Sequence, residues 1–127
     1  MKVTKGMDWI ITCTTNFEET VAFFRDVLGL PVKEAGIPVT DRQFRRYAQI
    51  AMPNDSVLEV VEPEDAVRKL YDAPIPSITV DDVVHSRKEM ENKRVEFVSE
   101  IFRTGSGWGW TYFRAPDGNV YQLQGPC

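Results

Sequence analysis

The sequence predicts an α+β fold in which two βαβββ modules form curved mixed sheets around a cleft, with the helices on the outer faces. Three observations carry this expectation. A strand–helix–strands order occurs twice, with a period of roughly sixty to seventy residues. Two segments place apolar residues at helical spacing, whereas the segments around them alternate with a period of two. A four-stranded sheet with one helix cannot cover both of its faces, so two such sheets share the burial. The 127 residues suit a single domain, 1–127, with a first module at 7–62, a connector at 63–74 and a second module at 75–125.

The elements follow in order. Residues 8–14 are rich in β-branched side chains and read as a strand. Asn16 stands as a helix N-cap with Glu19 three residues on, a variant of the capping box. Phe17, Val21, Phe24 and Leu28 then mark one helix face, and Gly29 supplies the left-handed stop before Pro31. Strands are expected at 30–35, 44–52 and 56–61, the last two joined by the turn Pro53-Asn54-Asp55. A polar connector with a short helix leads through Pro74-Ile75-Pro76 into a strand at 77–80. Asp81 or Asp82 caps a second helix running to about Lys93, its core side formed by Val83, Val84, the Arg87 stem and Met90. A strand at 95–101, a glycine-rich loop at 104–107 and a hairpin of 108–114 with 120–124 complete the second module.

Composition narrows the function. Hydrophobic residues make up 43% and charged residues 27%, as in an ordinary globular chain. The longest apolar runs are a few residues, against the roughly 20 needed to span a membrane, and no apolar signal segment opens the chain. No membrane partner and a cytoplasmic location are therefore expected. The formal charge is −4 and the densest basic group, Arg42 to Arg46, is short, so no nucleic-acid partner is expected. Cys13 and Cys127 are the only cysteines and form no CxxC spacing, which argues against a thiolate metal site or a dithiol redox pair.

Two stretches resemble a known family. Asn16-Phe17-Glu18-Glu19-Thr20-Val21-Ala22-Phe23-Phe24-Arg25-Asp26-Val27-Leu28-Gly29-Leu30, and Trp108-Gly109 followed by Ala115-Pro116-Asp117-Gly118-Asn119, are similar to the two signatures of the vicinal oxygen chelate superfamily. That superfamily includes glyoxalase I, bleomycin-resistance proteins and extradiol dioxygenases. With the repeated module, the resemblance covers nearly the whole chain. Asn16 and Ala115 stand where Asp is usual, and Arg94 where a Gly commonly ends the second helix.

The resemblance implies four metal-ligand positions, which this chain fills unusually. The first-strand position falls on Trp9 and the fifth-strand position on Ile75, neither of which ligates. The fourth-strand position falls on Glu59, which matches, and the eighth-strand position on Gln122, a weak neutral donor. The lone histidine, His85, falls in the second helix and is expected to be exposed. One carboxylate and one amide do not make a transition-metal site, so no metal and no cofactor are expected.

Period-two alternation instead groups Trp9, Ile11 and Cys13 on one strand face and Trp108, Trp110, Tyr112 and Arg114 on another. Aromatic side chains of this kind stack on flat or cationic ligands. Together with Glu59 and Gln122, which the resemblance places at the site, the expected ligand-binding set is Trp9, Glu59, Trp108, Trp110, Tyr112 and Gln122, with Glu59 as the one candidate catalytic residue. A carboxyl among such rings has its pKa raised by desolvation. Three readings follow. The first is a metal-independent binding protein that sequesters a planar or cationic organic molecule. The second is a lyase or isomerase that uses Glu59 as base or residual ligand. The third is a non-catalytic assembly module whose cleft is plugged by its own rings. Exposed sheet edges favour self-association, so a homodimer is expected.

Overall fold

A computed structural model of the chain describes residues 1–35 and 44–127. Of the basic group noted above, Arg42 lies outside the described residues; Arg45 and Arg46 face Glu64 and Glu62. Nine strands and two α-helices are present among the described residues. No described helix is long and apolar enough to cross a membrane.

The chain forms two compact units. One takes most of the chain from Asp8 to Ile75; the other takes Met1–Met7 and Pro76–Cys127. Strand β1 (Val3–Cys13) runs through both, starting earlier than its β-branched segment suggests.

In the first unit, β2 (Val32–Ala35), β3 (Phe44–Ala51) and β4 (Val57–Pro63) pair antiparallel in sequence, and β4 pairs parallel with the second half of β1. The β3–β4 hairpin closes on the expected turn: the Asn54 Oδ1 accepts from the Ser56 N–H at 3.1 Å, and Asp55 takes φ +68°. Helix α1 (Phe17–Ala22) packs Phe17 and Val21 on Ala48, Ile50 and Val60. The Asn16 side chain caps nothing; instead the Thr20 N–H and hydroxyl donate to the Asn16 carbonyl, at 3.0 and 2.7 Å. Residues Phe23–Val27 then widen into a π-helical turn, with the Leu28 N–H donating to the Phe23 carbonyl. The wider turn alters the angular step along the helix. Leu28, expected on the buried face, is therefore 53% exposed, and Leu30 packs against the core instead. Gly29 makes the left-handed stop at φ +67°.

In the second unit the strand order is β1, β5 (Ile75–Val80), β9 (Val120–Pro126), β8 (Trp108–Arg114) and β6 (Glu96–Phe97), with β7 (Phe102–Arg103) also pairing β8. Of the strand expected at 95–101 only Glu96–Phe97 forms, and β7 follows just beyond that range. Helix α2 (Val83–Asn92) is capped by Asp82, whose carboxylate accepts from the His85 N–H at 2.9 Å. Val83 and Met90 pack on Val80, Phe113 and Leu123. Arg87 lies over the Phe97 ring at 4.6 Å and donates to the Ser99 carbonyl and the Thr111 hydroxyl, at 2.6 and 2.8 Å. Arg94 takes φ +66°, the conformation for which glycine is usual.

The register decides which sheet face each side chain takes. In each unit the helix and its core occupy one sheet face. The candidate residues alternate with that core and so project from the opposite face.

Candidate functional site

The first unit holds Trp9 and Glu59. Ile11 aligns with Glu59 and Trp9 with Val57, so Trp9, Ile11 and Cys13 share the Glu59 face, away from α1. Across the hairpin Gln49 aligns with Glu59, and Lys33 aligns with Gln49. One rung of this face therefore reads Lys33–Gln49–Glu59–Ile11.

Glu59 is half-buried, yet its carboxyl is closely surrounded. Its neighbours on the face, Ile11 and Val61, are fully buried and apolar. One polar partner remains: the Gln49 side-chain amide donates to the Glu59 Oε2 at 3.4 Å. Burial pushes the carboxyl up to about 7, and the Gln49 bond only partly offsets it. Tyr47, on the same face, has its phenol pushed up by burial first and by the Glu59 charge second. Burial also raises the Cys13 thiol, with Arg68 opposing.

A pocket of about 230 Å³ opens beside this group, lined by Pro31, Val32, Lys33, Gln49, Ala51 and Val57. It is small beside the roughly 300–1,000 Å³ of drug-sized sites.

The second unit holds Trp108, Trp110, Tyr112 and Gln122. The β8–β9 register aligns Tyr112 with Gln122 and Trp110 with Gln124, all on the face away from α2. Gln122 is bound within the protein: the Ser77 hydroxyl donates to its Oε1 at 2.6 Å, and its Nε2 donates to the Tyr112 hydroxyl at 3.3 Å. Tyr112 is fully buried and Trp110 nearly so, their rings 6.4 and 6.2 Å from that of Phe102. Trp108 is 37% exposed, and its indole N–H donates to Gln124 at 3.3 Å. His85 is exposed on α2, with its Nε2 3.0 Å from a Glu89 carboxylate oxygen.

These positions do not suit the metal that the fold family implies. Trp9 and the buried Ile75 offer no donor, and the Gln122 carbonyl oxygen already accepts from Ser77. Among the described residues no three of His, Cys, Asp or Glu gather where one ion could bind them.

Sequence reasoning missed Gln49, Lys33, Ser77 and Gln124. Gln49 was within reach: a hairpin centred on Asn54 sets residue 49 opposite 59.

Among curated proteins none matches the chain. Solved structures do. A methylmalonyl-CoA epimerase from Mycobacterium tuberculosis superposes with TM-score 0.73 at 20% identity, covering 100% of this chain and 93% of that one. A methylmalonyl-CoA epimerase variant from Streptomyces coelicolor, in complex with 2-nitronate-propionyl-CoA, gives 0.68 at 20% identity, covering 99% of each chain. A hypothetical protein from Bacillus halodurans C-125 gives 0.70 at 18% identity, covering 95% of this chain and 94% of that one. At such identities the likeness establishes the α+β fold. The model of one family matches residues 6–123, and the chain belongs to that family, the Glyoxalase/Bleomycin resistance protein/Dioxygenase superfamily.

Proposed function

We propose that this protein acts on a small organic molecule without a transition metal, and that Glu59 exchanges a proton with it, as in an isomerase or lyase. The placement of Glu59 carries the reading: a carboxyl on the face away from α1, set among apolar neighbours, with one neutral amide as partner. At a pKa of about 7, both its forms are populated near neutrality. The anion takes a proton and the acid returns one, the match general acid–base catalysis wants. On an enolisable carbonyl compound the C–H bond breaks, its electron pair moves into the enolate, and the proton goes to a Glu59 oxygen. Returning it to a neighbouring atom isomerises the substrate with no change in oxidation state. Two of the structural neighbours are epimerases by name, which supports the reaction class. Incubation with a panel of ketones and oxo acids in D₂O, read by proton NMR, tests it. Exchange at the carbon next to the carbonyl is expected, and is lost in Glu59→Gln; no exchange with any compound rejects the reading.

A second reading rests on the exposed face of Trp108 and the half-buried Trp9. Here the protein sequesters a planar or cationic molecule on its rings: on Trp9 in the first unit, with Glu59 as anchor, or on Trp108 in the second, with Trp110, Tyr112 and Gln122 on the same face. Quenching of tryptophan fluorescence by aromatic dyes or antibiotics supports it, and the absence of quenching rejects it. We also propose that the protein works as a cytoplasmic homodimer; a monomer mass in light scattering at micromolar concentration refutes the dimer.

A further inference from the structure

We infer that the occupant of the pocket beside Glu59 is a small organic anion, its carboxylate held by Lys33 and its enolisable carbon turned toward Gln49 and Glu59. The inference rests on the proton-transfer reading above and names its substrate class. Lys33, Gln49 and Glu59 occupy one rung on three neighbouring strands. Lys33 and Gln49 both line the pocket, whose remaining walls, Pro31, Val32, Ala51 and Val57, are apolar. The pocket is therefore sided: Lys33 and Gln49, paired on adjacent strands, form its polar edge, and Pro31, Ala51 and Val57 lie together on the neighbouring rung as its apolar edge.

Lys33 is exposed, and no carboxylate pairs with it among the described residues. Arg45 and Arg46, on the neighbouring strand, are both held by glutamates. Among the described residues, then, nothing of opposite charge holds Lys33, which is free to meet an anion from outside. Strands lie about 4.8 Å apart, so two strand spacings separate the Lys33 and Glu59 backbones by roughly 10 Å. Lysine and glutamate side chains are long enough to span all of that gap but the length of a short acid. The volume of about 230 Å³ sets the same limit. The anion also suits the chemistry: a cation near the carbonyl favours the negative charge that develops on enolisation.

The probes are 2-oxobutyrate, its methyl ester and butylammonium, titrated into the full chain and followed by Trp9 fluorescence, since Trp9 aligns with the pocket residue Val57. The oxo acid should bind at least tenfold more tightly than the ester, and butylammonium not at all. Lys33→Gln should erase that preference and Lys33→Glu reverse it, with melting temperatures unchanged because the side chain is exposed. Exchange at C3 of 2-oxobutyrate in D₂O should vanish in Glu59→Gln while binding persists. Anion-selective binding without exchange upholds the Lys33 seat and rejects proton transfer. Exchange with no preference for the acid over its ester, or a preference that survives Lys33→Gln, overturns the seat and leaves proton transfer standing. Neither binding nor exchange overturns both.

Discussion

Replacing Glu59 by Gln should stabilise the protein above neutral pH and do almost nothing in mild acid. The carboxyl is raised from 4.5 to about 7 in the folded chain, because burial penalises its charged form. Between those values the folded state binds more protons than the unfolded one, so stability falls as pH rises through the window. Above about pH 7 the whole penalty is present, and at about 1.4 kcal/mol per pKa unit it comes to about 3 kcal/mol. Gln keeps the shape and the capacity to bond to Gln49 but carries no charge. The variant should therefore match the wild type at pH 4.5 and exceed it by up to about 3 kcal/mol at pH 8.5. For a chain of this size that is a rise in melting temperature of roughly 10 °C. Denaturant titrations at the two pH values measure the difference directly. Parallel stability–pH curves for the two proteins would refute the reasoning, since they would mean that Glu59 titrates alike folded and unfolded.

Arg87→Met should cost about 2–3 kcal/mol by thermal denaturation, because the Ser99 carbonyl and the buried Thr111 hydroxyl both lose a charged donor. Arg87→Lys should recover less than half, as one ammonium cannot reproduce the planar stack on Phe97. Trp110→Ala should cost about 3–5 kcal/mol, the usual range for a buried ring, whereas Trp108→Ala should cost about 1 kcal/mol or less; equal losses would contradict their different burial. Elemental analysis of the purified untagged protein should find no stoichiometric zinc, nickel, iron or manganese, given Trp9 and Ile75 at two of the ligand positions; one tightly held metal per chain would overturn this.

Local signals carried much of this fold. Gly29 acts through its own backbone geometry, Asp82 and Asn54 through a side-chain oxygen that accepts from a backbone N–H two or three residues on, and each does in the structure what its residue type implies. The period-two pattern likewise set Trp9 and Glu59 on the face away from the helix. What the sequence hid depends on distant partners. The π-helical turn at Phe23–Val27 follows no residue signature, and it turned Leu28 outward. Ser77 meets Gln122 through a parallel pairing of strands 45 residues apart, a register no local pattern reveals. Lys33 joins Glu59's rung only through the β2–β3 register, which no local pattern reveals.

The two modules share a topology but differ in electrical character. On the face away from its helix, the second unit buries Ser77, Thr79, Gln122 and Gln124, all neutral, whereas the first presents an ammonium and a carboxyl on one rung. If the modules descend from one duplicated ancestor, this divergence is a division of labour. Among its described residues the second copy desolvates no carboxylate on that face, so its buried polar groups there do not titrate. The first copy carries a desolvated carboxyl and the instability that comes with it above neutral pH. Mutational searches for new activity would then find most of their useful variation in the first module, because a change there alters chemistry before it threatens the fold.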